Sequence, residues 1–71
     1  MPMIDMLRTG ANIRSMREEN HMTVNDVAIV CGISKTAVYK WQAGTSVPTV
    51  DNLVILSSVW NVSIDNIIIR A

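Results

Sequence analysis

The sequence predicts an all-α domain of five short helices, and three observations carry that prediction. Glycine and proline are sparse, at Pro2, Gly10, Gly32, Gly44 and Pro48, and the runs between them have helical length. No run alternates apolar and polar residues between turn pairs, as a half-buried strand would. A hydroxyl residue stands just ahead of a helical run at Thr23, Ser34, Thr49 and Ser63, where its oxygen can accept from an orphan backbone N–H. Seventy-one residues without internal repeats make one domain, 1–71.

The first helix begins at either Ile4 or Thr9 and runs to Asn20, because Thr9-Gly10 either interrupts a longer helix or precedes a shorter one. Ile13 and Met16 share one face of it, and Arg14, Arg17, Glu18 and Glu19 occupy the rest. The second helix spans Val24 to Val30. Thr23 is its N-cap, Asp26 completes an approximate capping box and suits the positive helix end, and Gly32 supplies the left-handed residue that closes it. The third runs from Lys35 to Gln42, capped by Ser34 and closed by Gly44, and Thr45 to Pro48 form a loop. Thr49 caps the fourth helix, Val50 to Trp60, with Asp51 in its first turn. After the link Asn61-Val62, Ser63 caps a fifth helix that extends through Ile69.

Composition narrows the function. Hydrophobic residues make up 49% of the chain, which favours a packed globule over a disordered tail. With no Phe, one Tyr and two Trp, the core is aliphatic. A chain this short buries only about 60% of its unfolded surface, so stability is marginal. The lone Cys31 cannot form an internal disulfide and reads as a small buried hydrophobe in a reducing interior. No apolar run approaches the roughly 18 residues of a membrane span, and MPMIDMLRTG lacks the pattern of a secretory signal, so a cytoplasmic protein is expected. His21 has no second ligand at metal-binding spacing. No nucleophile–base set, paired carboxylates or Gly-rich phosphate loop appears. The expectation is a non-enzyme without cofactor, metal, membrane or evident small-molecule ligand.

Residues 24–43 meet the demands of a helix-turn-helix, in which two short helices cross steeply over a tight turn and so need small, apolar facing surfaces. Ala28 lies at the crossing, and Gly32 makes the turn. Val27, Cys31, Ile33, Val38 and Trp41 are spaced to enter a shared core. Lys35, Thr36, Tyr39 and Lys40 are left on the outer face of the third helix, all able to donate hydrogen bonds. Six basic and six acidic residues cancel, which weighs against a strong nucleic-acid binder. Between Val27 and Val50, however, the only charges are Lys35 and Lys40, so this segment is locally cationic.

The run TVNDVAIVCGISKTAVYKWQAGTSVPTVDNLVILSSVWNVSIDNII resembles the phage-repressor (lambda repressor and Cro) helix-turn-helix family, and NIRSMREEN upstream resembles the family's first helix. GTSVPTVDNL resembles the glycine, polar loop, proline and next helix, and WNVSIDNII the ending. The resemblance implies a five-helix lambda-repressor-like domain that binds double-stranded operator DNA and regulates transcription. It implies that Lys35, Thr36 and Lys40 reach base edges, with Tyr39 on the same face either contacting DNA or packing in part. Thr23, Ser34, Ala43 and Thr45 fall where the family contacts phosphate. Two residues depart from the family pattern. Val24 stands in place of a phosphate-clamping glutamine, and Gln42 in place of a glutamate that pairs with the first-helix arginine, here Arg17.

The last third, 50–71, carries more apolar surface than one stripe can hide, with Val50, Leu53, Val54, Ile55, Leu56, Val59 and Trp60 encircling the fourth helix. Either Val54, Ile55, Val59, Ile67 and Ile68 build a homodimer interface, as in similar repressors, or Val54, Ile55, Val59 and Ile69 pack on the first helix. A dimer would read a pseudo-palindrome. The alternative function is a protein-interaction module, such as an antitoxin or regulator-binding protein, on the same fold.

Overall fold

A computed structural model describes residues 3–71 and contains five helices: α1 (Met6–Glu19), α2 (Val24–Cys31), α3 (Lys35–Ala43), α4 (Val50–Trp60) and α5 (Ile64–Ile67). Local chemistry sets most of their ends. Thr23 Oγ1 accepts from Asp26 N at 3.0 Å while the Asp26 carboxylate accepts from Thr23 N at 2.8 Å, a complete capping box. Ser34 and Thr49 supply the N-cap half of that arrangement to α3 and α4, accepting from Ala37 N and Asn52 N. Gly32 closes α2 in the left-handed region, at φ 67°, and Ile33 N then reaches back to Ala28 O at 3.0 Å.

Two expectations are corrected at the chain ends. α1 starts at neither Ile4 nor Thr9. Asp5 is the N-cap, its carboxylate accepting from Arg8 N at 3.0 Å, and the helix passes straight through Gly10. That glycine is a packing device. A Cβ there would collide with the Trp41 carbonyl oxygen and lie 3.0 Å from that of Gln42, so its absence lets α1 lie against the end of α3.

The fifth helix stops at Ile67, short of Ile69, and Ser63 makes no side-chain cap bond to it. Beyond Ile67 the backbone is extended and bonds to the start of the chain. Asp5 N donates to Ile69 O and Ala71 N to Met3 O, both at 2.8 Å, flanking an antiparallel bridge between Ile4 and Arg70. Thr9, 1% exposed, uses its hydroxyl twice on one residue, accepting from Ile69 N at 2.9 Å and donating to Ile69 O. Asn12, one turn on, donates to the carbonyls of Asn66 and Ile67. A four-residue helix is too short to stand alone, and side chains of α1 finish it.

The core gathers Ile13, Val27, Ala28, Cys31, Val38, Trp41, Leu53, Leu56, Trp60 and Ile67. Each fully buried aliphatic side chain contributes about 1.5–3 kcal/mol, and every helix supplies at least one. α1 packs on α3 and α5, α2 on α3 and α4, and α4 on α5. The core therefore holds α3 from behind, along Val38 and Trp41, and leaves its opposite face free. No described helix is long and apolar enough to cross a membrane.

Candidate nucleic-acid interface

α3 divides cleanly between two roles. Val38 and Trp41 are buried, Ala37 and Gln42 are half-buried, and Lys35, Thr36, Lys40 and Ala43 are exposed beside Tyr39, which is 57% exposed. The division follows the helical period, since positions 38 and 41 share a face that 35, 36, 39 and 40 do not. All four side chains expected to face outward do so. Ala28, 4% exposed, lets α2 and α3 approach, and Cys31 is buried beside it. Burial raises the Cys31 thiol above its ordinary pKa, so it stays neutral at physiological pH.

The four residues expected at phosphates are not equivalent. Thr23 and Ser34 are exposed caps whose oxygens accept from helix backbone, leaving each O–H free to donate outward. Behind them, the first N–H groups of α2 and α3 have no intrahelical acceptor. Thr45 is exposed, but both its donors are engaged, the N–H with Lys40 O at 3.0 Å and the hydroxyl with the same oxygen at 3.2 Å. Ala43 carries a methyl group and lies inside the last turn of α3, so its N–H belongs to the helical ladder.

Arg17 ties this unit together. Its Nε donates to Gln42 Oε1 and its Nη1 to Met22 O, each at 2.9 Å, joining α1, the end of α3 and the residue before the α2 cap. The Arg17–Gln42 pair is the one the family resemblance implies; the Met22 contact is set by the turn and has no local mark in the sequence. Trp60, a core residue, donates its indole N–H to Met22 Sδ at 3.3 Å.

Of the residues expected at a dimer interface, Val54 and Val59 are exposed, at 54% and 41%, and Ile55 and Ile68 are half-buried against the core. Ile67 is corrected: it is 0% exposed and belongs to its own chain's core, because α5 turns that side chain inward. Val50, 72% exposed, lies one turn before Val54 on the same side of α4. Burial on α1 does not account for Val54 or Val59.

Two capped helices crossing at an alanine over a left-handed glycine, the second presenting a cationic donor face, define a DNA-binding helix-turn-helix. A helix-turn-helix family model matches residues 13–67, and the chain belongs to that family, of the Cro/C1 type. It is a DNA-binding regulator of transcription. Among solved structures it is similar to the restriction-modification controller protein C.AhdI from Aeromonas hydrophila. The two share 16% sequence identity and superpose with a TM-score of 0.78 over 89% of this chain and 96% of that one. Comparison with curated protein sequences gave no match.

Proposed function

We propose that this protein binds operator DNA as a cytoplasmic homodimer, inserts α3 into the major groove and represses transcription by occupying a promoter, without catalysis or cofactor. The observation that carries the reading is the outer face of α3, where Lys35, Thr36, Tyr39 and Lys40 are exposed on a helix whose inner face is locked into the core. Lysine donates to guanine O6 and N7, and threonine offers a hydroxyl or its methyl to thymine. Thr23, Ser34 and the free N–H groups behind them hold the flanking phosphates. Two copies meeting through Val50, Val54 and Val59, with Ile55 and Ile68 at the margin, would place their α3 helices about 34 Å apart, one turn of DNA. The similar solved structure is itself named as a controller protein, of a restriction-modification system. The protein-interaction alternative is not favoured, since the free face of α3 is polar and cationic rather than apolar.

Selection of bound duplexes from a random pool, repeated at two salt concentrations, tests the reading. Enrichment of a pseudo-palindrome whose binding weakens steeply with salt is the expected result. Lys35→Ala and Lys40→Ala should each cost about 1–3 kcal/mol and relax the preference at one base pair. A pool that emerges unenriched, with salt-insensitive binding, would remove DNA recognition from this face.

A further inference from the structure

α3 is steadied not only by α2 but, more extensively, by α1. The two helices close on each other through glycines supplied from both sides. Gly10 of α1 lies against the Trp41 and Gln42 carbonyls at the end of α3. Gly44, just past α3, lies against Leu7, where a Cβ would come 2.9 Å from Leu7 Cα and 3.1 Å from Leu7 N. Backbone meets backbone at both points. A displacement of this part of α1 therefore passes to the end of α3, with no flexible side chain between them to absorb it.

The same stretch of α1 is held from the other side by the end of the chain. At 3.6 residues per turn, Thr9 and Asn12 fall roughly opposite Leu7 and Gly10. The buried Thr9 hydroxyl accepts from Ile69 N at 2.9 Å and donates to Ile69 O at 3.3 Å. The Asn12 amide donates to Asn66 O and Ile67 O at 2.7 and 3.0 Å. α5 in turn packs on α4, so α1 is clamped between α3 and the segment 66–69. We infer that Thr9, with Asn12, is a positioning residue for DNA recognition. It fixes α1 against the end of the chain and, through the two glycine contacts, sets how the outer face of α3 meets the groove. The inference rests on the DNA-binding reading above. Hydrogen bonds to base edges need heavy atoms within about 2.7–3.2 Å and good alignment, so a small shift of α3 breaks them. Attraction to phosphate acts over about 10 Å and survives the same shift. Loosening the clamp should therefore cost discrimination between sequences rather than general affinity for duplex.

The test titrates the intact protein by fluorescence anisotropy with two duplexes, one selected from the random pool and one of mixed sequence. The wild type is compared with Thr9→Val, Asn12→Ala, Thr9→Ser and Leu56→Val, the last a core change on α4, at a temperature where all are folded. Thr9→Val and Asn12→Ala should lose about 2- to 30-fold in affinity for the selected duplex and keep wild-type affinity for the mixed one. Thr9→Ser retains the hydroxyl and should bind both as the wild type does. Leu56→Val is destabilised without untying the clamp and should keep the wild-type preference. In the free protein, the amide resonances of Lys35 and Thr36, at the far end of α3, should move in Thr9→Val and Asn12→Ala. A wild-type preference in both clamp variants overturns the inference. So does an equal loss in Leu56→Val, or a binding loss with the Lys35 and Thr36 amides unmoved. A wild type that prefers no duplex overturns the DNA reading itself, and this inference with it.

Discussion

Gly10→Ala offers a sharp test of how this fold holds its recognition helix. In an exposed helix the substitution gains about 1 kcal/mol, because alanine loses less conformational freedom than glycine. Here the new Cβ meets two backbone carbonyl oxygens, those of Trp41 and Gln42, and no rotamer change can move either. α1 must lift away from the end of α3, and overpacking of this kind costs about 1–3 kcal/mol, more against rigid backbone. Against two fixed carbonyls the cost sits at the upper end of that range, so the net loss after the helical gain is about 2 kcal/mol, which in a domain this size lowers the melting temperature by roughly 8–16 °C. Gly32→Ala makes the contrast. No atom lies within 4 Å of its Cβ, so the cost is the left-handed backbone at φ +67°, about 1 kcal/mol by itself. Thermal melts followed by far-ultraviolet circular dichroism read both. Because α1 bears directly on α3, Gly10→Ala should also weaken duplex binding at temperatures where it remains fully folded. A Gly10→Ala protein that melts at or above the wild type would refute the close-approach argument.

Three further outcomes follow from the geometry. Thr9→Val keeps the buried shape but removes both bonds to Ile69, and should cost about 1–3 kcal/mol, with amide exchange at Ile69 accelerating more than at Val38; equal protection would mean that the hydroxyl does not hold the tail. Val54→Glu places a charge on the exposed apolar side of α4 and should shift the protein to monomer in equilibrium sedimentation while leaving its melting curve nearly unchanged, whereas a wild type already monomeric at high concentration would dispose of the dimer. Burial raises the Cys31 thiol in the folded state, so in alkali the unfolded chain releases its proton first. Stability should therefore be intact at neutral pH and fall as pH rises beyond the ordinary thiol range, and Cys31→Ala should flatten that fall in urea melts taken at increasing pH.

Much of this architecture is legible in the chain because its causes are local. A capping box closes over three residues, as Thr23 and Asp26 do, and a left-handed glycine ends a helix by bonding back within one turn. The helical period alone separates Val38 and Trp41 from Lys35, Thr36, Tyr39 and Lys40, so the exposed face of α3 follows from spacing. Other assignments need distant partners. The hydroxyl of Thr9 meets its acceptor and donor 60 positions away, and Asn12 finishes α5 from 54 and 55 positions away. Nothing in either neighbourhood announces such a role, and the isoleucine-rich ending reads as continued helix until those bonds draw it out as an extended tail. Likewise the apolar run 67–69 holds no local mark of which isoleucine turns inward; only the docking of α5 on α1 and α4 buries Ile67 and leaves Ile68 at the margin. Sequence determined the five helices, the ends of the middle three and the outer face of α3, because backbone hydrogen bonds and side-chain periodicity act within a turn or two. Tertiary structure decided where α1 begins to matter, how the tail is tied and which apolar residues remain outside, because those outcomes depend on surfaces that meet only after the chain has closed on itself.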